Sequence, residues 1–217
     1  TPHQSSAASD VYKRQEDVNI FMYNVYYTKS PFNNYPELMT SLLSVPENIT
    51  FEKAIALTQE IMSEMETDQL SETRIEALIG DLVKSKNGAR GFFVGYLTDS
   101  RPLADNPSPS VFKALEAAPE IVVELLVKNL AMCSAMVVHH QENQDEEAAN
   151  RSKTVRSRTT KLIKSLNIPS LSSNIQELYQ ATTTGQGNYK DFLKRWDYNT
   201  EQLKAIKEVI EPLLRVC

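Results

Sequence analysis

Asn129, Cys133, Met136 and His140 recur at i, i+4, i+7 and i+11 along an otherwise apolar stretch. On a helix that spacing places the four within about 60° of one face. An amide, a thiol, a thioether and an imidazole aimed one way can ligate a soft metal or flank a bound cofactor. The competing reading is a packed core seam whose Asn129 and His140 find backbone partners, as buried polar groups normally do. Metal centres draw ligands from several segments with recognisable pair spacings. Here the other histidines are His139, next door, and His3, and no ExxH, HxxxH or CxxC occurs. The four residues therefore stand as a candidate pocket lining, with no metal and no cofactor assigned.

A second candidate is the stretch 84–105, KSKNGARGFFVGYLTDSRPLAD, in which Lys84, Lys86, Arg90 and Arg101 surround three glycines. A phosphate or carboxylate can be cradled by such a loop. Nucleotide-binding glycine loops, however, follow a strand and open a helix, and here a helix precedes. The third candidate is 151–164, with six basic residues (Arg151, Lys153, Arg156, Arg158, Lys161, Lys164) and no acid. On a helix they cover the broad face opposite Val155, Leu162 and Leu166. Acids at a helix start and bases further along also suit the helix dipole, so a solvated face explains the run as well. Tyr189, Phe192, Trp196 and Tyr198 gather near the C-terminus and read as core by the burial tendency of aromatics. Nucleophilic chemistry finds little footing. Cys133 sits in apolar surroundings that raise a thiol pKa, and no serine lies in a G-x-S-x-G turn. No catalytic set is assigned.

The element that must carry the seam is the run 119–140. Pro119 suits a first helical turn and Glu120 complements the positive helix start. Glu124 and Lys128 stand four apart in the favourable order, and their charges argue against a membrane span. Apolar residues cover nearly all the remaining circumference, so this helix belongs at the centre of a core. Around it, Thr50 and Ser71 cap two amphipathic helices. The first has Phe51, Ala54, Ile55, Thr58, Ile61, Met62 and Met65 inward; the second has Ile75, Leu78, Ile79, Leu82 and Val83 inward, with Asn87-Gly88 as a stop. Pro109 opens another helix, Leu162 and Leu166 mark a long basic one ending by Pro169, and three helical pieces follow at 173–181, 189–196 and 200–214. Residues 91–97, GFFVGYL, fit two states. As a strand they would pair only with 18–27; as a helix, Gly91 and Gly95 would let a neighbouring helix come close.

The expected fold is all-α: a single compact multi-helix bundle around a buried central helix at about 119–140, leaving room for one small hairpin between 18–27 and 91–97. Residues 1–15 read as a disordered or artefactual leader and 16–217 as a single helical domain. The chain has 217 residues, 41% hydrophobic and 24% charged, with a net charge of -5. That balance gives no global attraction to nucleic acid. Two cysteines make no disulfide framework, and no secretory signal pattern is visible, so the cytoplasm or an organelle stroma is expected. The functional expectation is a non-enzymatic protein-interaction or regulatory module, with an acidic partner surface meeting Lys84, Lys86, Arg90, Arg101, Arg156 or Arg158. The alternative is a small-molecule or cofactor-binding protein or enzyme whose pocket is lined by Asn129, Cys133, Met136 and His140.

Overall fold

Polar residues that cap first-turn amides divide the chain into helices, and the computed structural model follows most of those signals over residues 43–215, the part it describes. The readings made for 1–15 and 18–27 lie outside those residues. Among the described residues nine α-helices follow one another: α1 (Phe51–Glu66), α2 (Glu72–Val83), α3 (Lys86–Thr98), α4 (Pro109–Glu116), α5 (Pro119–Glu142), α6 (Glu146–Ser165), α7 (Ser170–Thr184), α8 (Lys190–Trp196) and α9 (Thr200–Ile210). Short 3-10 turns stand at Pro102–Ala104 and Leu213–Arg215. Among the described residues there is no strand.

Thr50, Ser71, Ser85 and Asp145 each accept a hydrogen bond from a first-turn amide. Asn199 and Gln202 form a reciprocal capping box at α9, which satisfies two otherwise orphaned groups. Pro109 and Pro119 occupy first turns, where a missing N–H is harmless. Asn87-Gly88 does not stop α2. The helix breaks two residues earlier, because Ser85 turns its hydroxyl onto the Gly88 amide at 3.0 Å and starts α3. The stretch 91–97 is therefore helix and not half of a hairpin. Its period explains why. Gly91 and Gly95 face α1, where an added Cβ at Gly91 would lie 2.4 Å from Ala54 Cβ and one at Gly95 2.9 Å from Thr58 Cγ2. Both faces of such a segment are buried only when α1 can approach this closely.

The order of these contacts fixes a direction. Gly91 meets Phe51 and Ala54 while Gly95 meets Thr58, so α1 and α3 run parallel and begin at the same end. Helix α5 lies at the centre, packed most extensively on α6 and α9 and also on α7, α3 and α4. Val122, Leu126, Leu130 and Ala135 are fully buried on it. By length and composition α5 could cross a bilayer; in this structure 67% of its most apolar window is buried inside the bundle.

Candidate binding clefts

Of the basic residues in 84–105 and 151–164, those nearest the crossing between α3 and α4 are used inside the protein. Arg158, on α6, is 5% exposed. Its Nε and Nη2 donate to the two carboxylate oxygens of Asp105 at 2.8 and 2.7 Å. Its Nη1 donates to the carbonyls of Leu97 (2.9 Å) and Asp99 (2.7 Å), and Nη2 also reaches the Arg101 carbonyl at 3.3 Å. A guanidinium has five N–H groups, and five acceptors meet them here. Arg158 is thus not part of a solvated basic face. It lies three residues after Val155 and four before Leu162, which puts it on the buried stripe of α6, where it closes the C-terminal end of α3.

Arg101 is similarly committed. Its Nε and Nη2 hold the Asp99 carboxylate at 2.7 and 2.6 Å, and Nη2 touches the Gln59 carbonyl at 3.4 Å. Burial pushes the Asp99 carboxyl up, yet the Arg101 hydrogen bonds outweigh it and leave the group below the ordinary carboxylate range. The Arg158 bond, against a smaller opposing burial, does the same for Asp105. Tyr96 adds a bond from its hydroxyl to the Leu103 carbonyl at 3.0 Å. What reads in sequence as a flexible basic loop is a braced crossing.

Lys84 pairs with Asp81 at 2.6 Å on the surface. Arg151 pairs with Glu147 at 2.7 Å, Lys153 meets Asn150, and Lys161 reaches over to the Asp105 carbonyl and Asn106. Among the described residues Arg156 and Lys164 form no ion pair. The residues proposed from sequence therefore do not gather into one patch.

Lys86 and Arg90 are placed differently. Lys86 is exposed in the first turn of α3, and the Arg90 guanidinium lies over the Phe51 ring of α1 at 4.9 Å. The common start of α1 and α3 opens on a cleft of about 280 Å3, lined by Glu47, Asn48, Ile49, Thr50, Ser85, Lys86 and Asn87. Two helix starts bring roughly half a positive charge each and first-turn amides without helical acceptors. Of these residues, sequence reasoning had pointed to Lys86 and to Thr50 as a cap. Ser85 was missed, although Ser-x-x-Gly after a hydrophobic run was available as a cap signal.

The α5 seam does not converge. Asn129, Cys133 and His140 are buried and Met136 is half-buried. Cys133 lies within electrostatic reach of the Tyr198 hydroxyl, which is itself buried without a hydrogen-bond acceptor. His140 sits instead at the α5–α6 turn. Burial, and then His139, hold its pKa below the usual histidine value, while Asp145 acts the other way and Arg151 adds to the lowering. At 1.5 Å per residue, Asn129 and His140 stand about 16 Å apart along the axis. Among the described residues no group of three or more His, Cys, Asp or Glu side chains could hold a metal ion. The C-terminal aromatics pack on one another: Trp196 stacks on Tyr198 at 6.2 Å between centroids, and Phe192 stands edge-on to both Tyr189 and Tyr198.

The model of the family described as uncharacterised conserved protein UCP020893 matches residues 50–213. No curated protein and no solved structure matches the chain.

Proposed function

The chain belongs to the family that its residues 50–213 match, and from that premise we propose a non-enzymatic interaction module that takes up an acidic segment of a protein partner where α1 and α3 begin. One observation carries the reading: two parallel helices start side by side at one cleft, with Lys86 on its rim. Helix dipoles and first-turn amides favour a carboxylate, and Lys86 adds a full charge. The net charge of -5 disfavours the long phosphate backbone of a nucleic acid, which needs many cations at once. A short run of glutamates or aspartates asks for only a local positive site.

Glu47 lines the same cleft, and its carboxylate competes with an incoming one. This gives a two-sided test. With a hexaglutamate peptide as probe, amide chemical shifts of the 15N-labelled protein should move at 47–53 and 85–90. Lys86→Glu should abolish those shifts, and Glu47→Gln should strengthen binding severalfold. Shifts that appear elsewhere, or that survive Lys86→Glu, would remove the basis for the reading.

A further inference from the structure

Glu47 and Lys86 carry opposite charges and line the same cleft at the common start of α1 and α3, yet no ion pair joins them among the described residues. We propose, resting on the acidic-segment reading of this cleft, that the segment it takes up carries a basic side chain beside its acid. The acid lies at Lys86 and the helix starts, the base at Glu47.

Both charges stand on anchored backbone. Glu47 lies in a turn that follows Pro46, whose ring fixes its own φ. After the turn Ile49 is 5% exposed, and before it the Leu43 carbonyl accepts a hydrogen bond from Arg74 Nη2 on α2. Lys86 sits in the first turn of α3, which Ser85 caps. Lys86 also lies within electrostatic reach of Glu124 on α5, but that carboxylate is held by Lys128. The cleft thus presents an exposed carboxylate and an exposed ammonium that do not neutralise each other.

Charge selects the ligand. A run of acids alone gains from Lys86 and is repelled by Glu47. In a segment with a base next to an acid, that repulsion becomes a second attraction, and the pairing fixes the direction in which the segment runs. A lone carboxylate or phosphate uses half of the arrangement. Asn48 and Asn87 also line the cleft, and neither side chain makes a hydrogen bond within the described residues, so both amides can serve a peptide backbone. At about 280 Å3 the cleft falls just below the range of small-ligand sites, about 300–1,000 Å3. That size suits the ends of two neighbouring side chains.

The test uses the full chain and two N-acetylated, C-amidated pentapeptides, Glu-Glu-Arg-Glu-Glu and Glu-Glu-Gln-Glu-Glu, titrated at one low salt concentration by calorimetry and amide shifts. The Arg peptide should bind about threefold or more tightly than the Gln peptide, the scale of one partly exposed ion pair, with shifts at 47–50 and 85–90. Glu47→Gln should weaken the Arg peptide by a similar factor and strengthen the Gln peptide. The same change at Glu208, exposed on α9, should leave both affinities as they were, which separates pairing at Glu47 from the net charge of -5. Equal binding of the two peptides to the parent, or Glu47→Gln strengthening both, would overturn the inference and leave the acidic-segment reading in place. Binding of neither peptide, or binding of both that survives Lys86→Glu, would remove that reading and the inference with it.

Discussion

The crossing from α3 to α4 and the crossing from α7 through α8 to α9 are both polar connections carrying basic residues, yet they end in opposite states. In the first, Arg158 reaches in from α6 and Arg101 folds back, and between them they bind four backbone carbonyls and two carboxylates. In the second, Lys190 and Lys194 remain exposed over a recess. The difference follows from what lies behind each segment. A neighbouring helix that passes beneath a crossing can supply a buried cation, and carbonyls at a helix end need donors. At α8 no neighbouring side chain pairs with Lys190 or Lys194 among the described residues, and both stay in water.

The largest way to break this contrast is Arg158→Ala. It leaves Asp105 and three carbonyls without their donor; Asp105 is 48% exposed and returns to water, so the cost comes from the stranded carbonyls, about 1–3 kcal/mol. A urea unfolding curve should show the loss. An effect below about 1 kcal/mol would mean that the crossing is not braced by this residue. Arg158→Lys should recover little, because an ammonium cannot span the fork.

Next comes Gly91→Ala. The added methyl would sit 2.4 Å from Ala54 Cβ and 2.8 Å from the Phe51 carbonyl, so α1 and α3 must separate. Overpacking of this kind costs about 1–3 kcal/mol, again read from urea midpoints. Gly185→Ala offers the counterpart at the open corner. No neighbour obstructs it, but its φ of +67° is left-handed, and the penalty should come from backbone alone, about 1 kcal/mol. If Gly185→Ala proves as costly as Gly91→Ala, the corner is packed more tightly than its geometry implies.

The pH dependence should also follow the braced side. Asp99 and Asp105 have folded-state pKa values below the ordinary range, so near and below about pH 4 the unfolded chain binds more protons than the folded one. Their contribution is therefore full above that range and lost as the pH falls through the folded values. Urea midpoints between pH 5 and 3 should drop less steeply in Asp105→Asn than in the parent; an identical slope would separate Asp105 from the acid response. The effect is modest, because the Asp105 side chain is 48% exposed and solvent screens it. Smallest of all, Lys190→Gln/Lys194→Gln should shift stability by less than about 0.5 kcal/mol.

Local physics determined most of the elements without help from tertiary structure. Thr50 and Ser71 as caps, Pro109 and Pro119 as first-turn prolines, and the apolar circumference of 119–140 each act over a few residues of chain, and the all-α bundle around α5 follows from them. Three outcomes needed the folded chain. Residues 91–97 had two allowed states until Ala54 and Thr58 came close enough for the glycines to matter. Arg158 could not be told from its solvated neighbours on α6, because its acceptors lie more than fifty residues away. The four seam residues share a helical face, but α5 is long enough that Cys133 meets Tyr198 while His140 meets the turn into α6. Spacing along one helix sets direction; whether two groups meet depends on what packs against each turn.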